Sequence, residues 1–236
     1  MSSRQEEKQR RREERLARER AEKVAAARRQ RVTLAGAVLV GAAVVAVAVL
    51  LVTGTLGGGN DGSSDASQPE PSADVTIPEQ KIGDLQAAAK AAGCKLANPP
   101  IEGRNHEDKD FRASDYKTNP PTSGNHNRVW YEDGVYEPGA TPQLGQLVHT
   151  LEHGRIDVQY KPGTPKHTVA QLEALLAEQN DGYHMLLFQN TTNMDAQIAA
   201  TAWGHSVTCP QFNNQVFDAL RTFRAAYIDK GPEIVP

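Results

Sequence analysis

The chain predicts an α+β domain, a small mixed sheet with flanking helices, carried behind one membrane-spanning helix. Three observations carry that expectation. Residues 32–53 contain no charged side chain, and a helix of about 20 apolar residues crosses roughly 30 Å of hydrocarbon. Residues 54–74 are rich in Gly, Ser, Pro and Asp, a composition that buries no core and reads as a flexible linker. From residue 75 to 236, apolar residues recur at helical spacing in some segments and alternate in others, without strict strand–helix alternation.

Charge sets the expected orientation. The formal net charge of −3 over 236 residues conceals an asymmetry. Residues 1–31 carry 12 Lys/Arg against 6 Asp/Glu, a local +6, and the rest carry 14 against 23, or −9. The positive-inside rule puts residues 1–31 in the cytoplasm and the domain outside the membrane. A cleaved secretory signal is the alternative reading of 32–53. The length of the span and of the basic arm before it favours a single-pass anchor. Leu16 is the only leucine of that arm, which lacks an apolar stripe for lying on a bilayer. It also lacks aromatic residues for base stacking, so nucleic acid is not an expected partner.

Within the domain, residues 82–92 predict a short helix ended by Gly93. Residues 97–142 predict a long loop, punctuated by Pro99-Pro100 and Pro120-Pro121, of the kind that carries function when ordered. Leu144, Leu147, Val148 and Leu151 fall at i, i+3, i+4 and i+7, which predicts a helix of two or three turns stopped by Gly154. Residues 155–160 alternate like a strand. Thr168 and Gln171 match a capping box before Val169, Leu172, Leu175 and Leu176. Residues 183–188 and 198–207 predict further strands, and 214–228 a last helix with Val216, Leu220, Phe223 and Tyr227 on one stripe.

Cys94 and Cys209 are the only cysteines. In an oxidising compartment such a pair forms a disulfide. Closing a loop of over a hundred residues contributes about 4–5 kcal/mol in the chain-entropy treatment.

The segment 147–154, Leu-Val-His-Thr-Leu-Glu-His-Gly, holds the chemistry. On a helix, His149, Glu152 and His153 share a face. Two imidazoles there chelate a transition metal, and a carboxylate beside them orients or deprotonates a bound water. The plain alternative is that His153 serves the helix C-terminus and Glu152 pairs with a cation such as Arg155.

Several segments together carry a resemblance. They are Gly93-Cys94, Asn105-His106, Tyr116 with Asn-Pro-Pro-Thr-Ser-Gly-Asn-His at 119–126, Gly134-Val135-Tyr136, 147–154, 156–160 and Ala202-Trp203-Gly204. The chain resembles the largely actinobacterial, membrane-anchored proteins grouped as domain of unknown function 3105. It departs from that pattern at Asn125, often proline there, and at His205, often arginine. The resemblance implies an extracytoplasmic domain sharing His106, His126, His149 and His153, and brings no established activity.

These four histidines flank or lie in the Pro/Gly-rich loop and the helix after it. A cysteine-poor imidazole site, with Glu152 as ligand, orienter or base, suits zinc or copper(II). Pro120-Pro121 and Gly124 would turn the loop so that His126 faces the helical pair. A second expectation is an inverted-zincin metallopeptidase, with His149 and His153 on zinc and Glu152 as general base. Its weakness is the lack of a good acidic third ligand, Glu173 and Glu178 being poor candidates; His126 as the third ligand would leave a position open for water. A third is a non-catalytic cell-envelope protein that docks a partner through Trp130, Tyr131 and Tyr136. His167, His184 and His205 are expected to be ordinary surface or core residues.

Overall fold

A computed structural model describes Ser67 and residues 75–141, 143–178 and 180–233. The basic arm and the expected membrane span lie outside the described residues. Among the described residues no helix is long and apolar enough to cross a membrane.

Three parallel strands form one half of the sheet: β2 (Gly134–Tyr136), β3 (Ile156–Tyr160) and β4 (Met185–Gln189). Strand β4 lies between β2 and β3, pairing in parallel with both. The other half is antiparallel and built from β1 (Lys95–Ala97), β5 (Ile198–Ala202) and β6 (His205–Cys209). The full order is β1-β6-β5-β3-β4-β2, a six-stranded mixed open sheet. The fold is α+β.

Among the described residues four helices accompany it: α1 (Leu85–Ala92), α2 (Leu144–Glu152), α3 (Lys166–Ala177) and α4 (Val216–Tyr227). Helix α2 connects β2 to β3 and α3 connects β3 to β4, so the two crossovers run in opposite directions along the sheet. Right-handed crossovers of opposite direction put their helices on opposite faces. The core shows this division. Ile156, Val158, Met185 and Leu187 pack with Leu172, Leu176, Leu220 and Phe223 of α3 and α4. Leu186 and Phe188, pointing the other way by the two-residue period, pack with Leu147 of α2. Each such fully buried side chain contributes about 1.5–3 kcal/mol.

Local chemistry moves several boundaries from their expected places. Helix α1 starts at Leu85 rather than 82, because the Asp84 carboxylate accepts the Ala87 N–H at 2.8 Å and caps the first turn. Helix α3 starts at Lys166, with Pro165 as its N-cap residue and no side-chain cap. Thr168 is therefore buried within the first turn, and the expected capping box is not used. Residues 198–207 are not one strand; the chain turns at Trp203-Gly204 and makes the β5–β6 hairpin. The loop expected over 97–142 contains β2 and a 3₁₀ turn at Ala113–Asp115. Ser67, in the stretch read as linker, exchanges backbone hydrogen bonds of 3.0 and 2.8 Å with Val135.

The Cys94 and Cys209 sulfurs are 2.01 Å apart, a disulfide across 115 positions. It joins the segment leaving α1 to the end of β6.

Candidate metal centre

The site is built on the sheet face covered by α2. Leu147 seats one side of that helix against Tyr136, Leu186 and Phe188, and Val148 packs with Phe111 and Tyr116. From Leu147 to Glu152 every residue is buried. His149 and Glu152, three positions apart, share a face directed away from the sheet-packing leucines. The Thr150 hydroxyl meets Asp157 of β3 at 3.0 Å. Burial pushes the Asp157 carboxyl well above its ordinary range, with that hydroxyl opposing.

Two loop segments bring the other imidazoles. His106 and His126 form an isolated parallel β-bridge. The Glu107 N–H donates to the His126 carbonyl at 2.8 Å, and the His126 N–H to the Asn105 carbonyl at 3.0 Å. Residues paired in this way present their side chains to the same side. Asn125 reinforces the bridge, accepting the Asn105 N–H at 3.2 Å and donating to the Glu107 carboxylate at 2.5 Å. The Asn127 N–H reaches the Gly145 carbonyl at 3.3 Å, fastening the loop to the start of α2. Gly145 permits that approach, since a Cβ there would collide with Asn127 and Phe111.

The result is convergence. One ligand atom from each of His106, His126, His149 and Glu152 lies within 4.8 Å of all the others. His126 Nε2 is 2.9 Å from Glu152 Oε2, His106 Nε2 is 3.9 Å from the same oxygen, and His106 Nε2 is 3.3 Å from His149 Nε2. A tetrahedral ion with ligands at about 2.0–2.1 Å spaces them about 3.3–3.4 Å apart. The observed separations bracket that value. This His/Glu cluster is of a size that could hold a metal ion.

Protonation points the same way. His126 Nδ1 donates to the Gly124 carbonyl at 2.8 Å, which turns Nε2 toward Glu152. Although 2.9 Å apart, His126 Nε2 and Glu152 Oε2 are not aligned as a hydrogen bond, and both are buried without a partner. Glu152 Oε1 is likewise buried without one, with the half-exposed Arg104 Nε at 3.7 Å. Buried polar atoms normally find partners, and a cation between these would satisfy all three. His149 is held unprotonated: burial first, then the neighbouring His153, His126 and His106, lower it to about 4. The ring therefore keeps a nitrogen lone pair at neutral pH, with Nε2 beside His106 and Nδ1 buried without a partner. Trp203 stands edge-on to His126 at 6.0 Å, and Trp130 to His149 at 5.5 Å.

His153, the C-cap residue of α2, falls outside this foursome. It joins a second group with His149 and Glu233, again with ligand atoms within 4.8 Å. His153 Nε2 is 3.6 Å from Glu233 Oε2. Burial lowers His153, helped by Arg155 and opposed by Glu233. Gly154 makes the approach possible. Its φ of +80° suits glycine, and a Cβ on it would lie 2.9 Å from the Asp229 Cα of the passing C-terminal segment. The Asp229 N–H donates to the Gly154 carbonyl at 2.9 Å and the Glu233 N–H to the Glu152 carbonyl at 3.0 Å.

Other expected roles resolve differently. Arg155 pairs with Asp133 at 2.7 Å, and the cation that pairs with Glu152 is Arg104, at 3.7 Å. Glu178 pairs with Arg221 of α4. Tyr136 is core with Tyr131 packed on it, and Trp130 leans on His149 and His153. His184 bonds Asp229 at 2.6 Å, His205 stacks on Tyr227, and His167 is exposed. Glu233 escaped the sequence because it follows the last helix, with no periodicity or motif tying it to His153. Arg104 gave only the weak signal of lying two residues before His106.

The family model described as a protein of unknown function, DUF3105, matches residues 108–235. That span includes every residue of both donor groups except His106. No curated protein and no solved structure matches the chain.

Proposed function

We propose that this chain, which belongs to the family of proteins of unknown function designated DUF3105, binds a divalent transition-metal ion. The ligands are His106, His126, His149 and Glu152. The domain works outside the cytoplasm, held by a single N-terminal anchor at residues 32–53 as charge and hydropathy suggest. One observation carries the metal reading: four donor side chains converge, three of them almost wholly buried, with unpartnered atoms facing each other. Three imidazoles and a carboxylate favour zinc or copper(II) over magnesium or calcium, which prefer oxygen. Four protein ligands approach the closed set of a holding site, whereas hydrolytic sites keep a position open for water. Glu152 lies among the ligand atoms rather than behind a water, which weighs against its acting as a peptidase base.

The test is metal content. The full-length protein, exported to an oxidising compartment, purified in mild detergent, exposed to zinc or copper(II) and dialysed, is expected to retain about one ion per chain. His126→Ala and His149→Ala should each retain less than about a tenth of that, with unchanged circular dichroism. Wild type without metal, or variants that retain as much, would overturn the reading.

A further inference from the structure

The second donor group extends the site outward. His149 belongs to both groups; His106, His126 and Glu152 complete the inner one, His153 and Glu233 the outer one. The His149 Nδ1 and His153 Nδ1 atoms are buried and unpartnered. The two groups differ in access. The Glu152 and His126 side chains are 1% and 0% exposed, whereas that of Glu233 is 42% exposed. Glu233 is nevertheless positioned, because its own N–H is bonded to the Glu152 carbonyl at the end of α2.

We infer a second, outer metal position ligated by His149, His153 and Glu233, through which a divalent transition-metal ion passes to and from the inner one. This rests on the proposed metal binding and adds a path to it. A neutral imidazole offers one lone pair, so His149 serves one position at a time whichever nitrogen it uses. The positions are therefore occupied alternately, one ion per chain. Two imidazoles and a carboxylate form a three-ligand set that leaves room for water, suited to receiving a hydrated ion from solvent. In the inner position, water is replaced by His106, His126 and Glu152. The ion exchanges the ligand atoms of one position for those of the other, with water completing its shell in between. Where His149 changes nitrogen, the ring proton passes through water to the nitrogen released; no electron or oxidant is involved.

The experiment uses cobalt(II) and zinc on the full-length chain in detergent. In His106→Ala/His126→Ala, cobalt(II) is expected to bind more weakly, with an absorption spectrum differing from wild type, and Glu233→Gln added to that background should abolish it. In the otherwise intact chain, Glu233→Gln should leave the amount of zinc bound unchanged and slow its uptake by about tenfold, a readout indifferent to how the double variant folds. Uptake at the wild-type rate in Glu233→Gln, or two ions bound per wild-type chain, overturns the outer position. So does residual cobalt(II) in the double variant that ignores Glu233→Gln. Wild type that binds no metal at all would instead defeat the proposed function itself.

Discussion

His126 Nε2 faces Glu152 Oε2 across 2.9 Å, with both side chains closed to solvent and no hydrogen bond between them. The contact joins the long loop to the last turn of α2. A carboxylate buried there gives up its hydration, and the exposed Arg104 Nε at 3.7 Å returns little of it.

Glu152→Gln follows from that cost. The amide keeps the size and shape of the side chain and carries no charge to be buried. Without metal the variant should be as thermally stable as wild type or more so, within about 1 kcal/mol. The rise in melting temperature that zinc gives wild type should vanish. Paired thermal melts with and without zinc would check both halves.

Gly154→Ala should be damaging for two separate reasons. The new Cβ meets a positive φ and also the passing Asp229 backbone. The combined strain and displacement are expected to cost about 2–4 kcal/mol in denaturant unfolding. The C-terminal segment should also become more accessible to carboxypeptidase, since Asp229 and Glu233 are bonded to Gly154 and Glu152.

The pH dependence of the metal-free protein has a definite sign. His149 falls from 6.5 to about 4 on folding, chiefly through burial. Above pH 6.5 neither state binds this proton, and the stability it supports is fully present. As pH drops from 6.5 toward 4, the unfolded chain takes up the proton and the folded one does not, so stability is lost. The loss from this residue amounts to roughly 3 kcal/mol and levels off below about pH 4. Urea unfolding of wild type and His149→Gln at pH 7, 5.5 and 4.5 should show a shallower decline in the variant.

Cys94→Ala/Cys209→Ala opens a loop spanning 115 positions. A loss of about 4–5 kcal/mol is expected from chain entropy. The disulfide lies on the β1–β6 edge and belongs to neither donor group, so zinc stoichiometry at a temperature where the variant is folded should not change.

Residues that signal through local spacing were the legible ones. Leu144, Leu147, Val148 and Leu151 gave α2 nearly to the residue, and Gly154 gave its end. The close spacing of His149 and Glu152 on one face followed at once from helix geometry. What depended on distant pairing was not visible. Strands β1 and β2 are three residues each, too short to show a period, and exist because β6 and β4 supply partners. The bridge between His106 and His126 is a single pair set by loop backbone, so proline and glycine content announced a turn there without its register. Glu233 reaches His153 only because Gly154 lets the C-terminal segment cross the end of α2. His153 groups with that segment's Glu233 and not with His106, His126 and Glu152, which a reading of His-x-x-Glu-His as one unit does not anticipate.

X-ray absorption at the zinc edge, on zinc-loaded full-length protein, tests the central claim most directly. Three imidazoles and one carboxylate predict a first shell of four nitrogen and oxygen atoms at about 2.0 Å. Outer-shell scattering should fit three rings, and His126→Ala, which loses the ion on dialysis, should give almost no zinc signal. A zinc shell without imidazole scattering, or one identical in wild type and His126→Ala, would contradict the assignment.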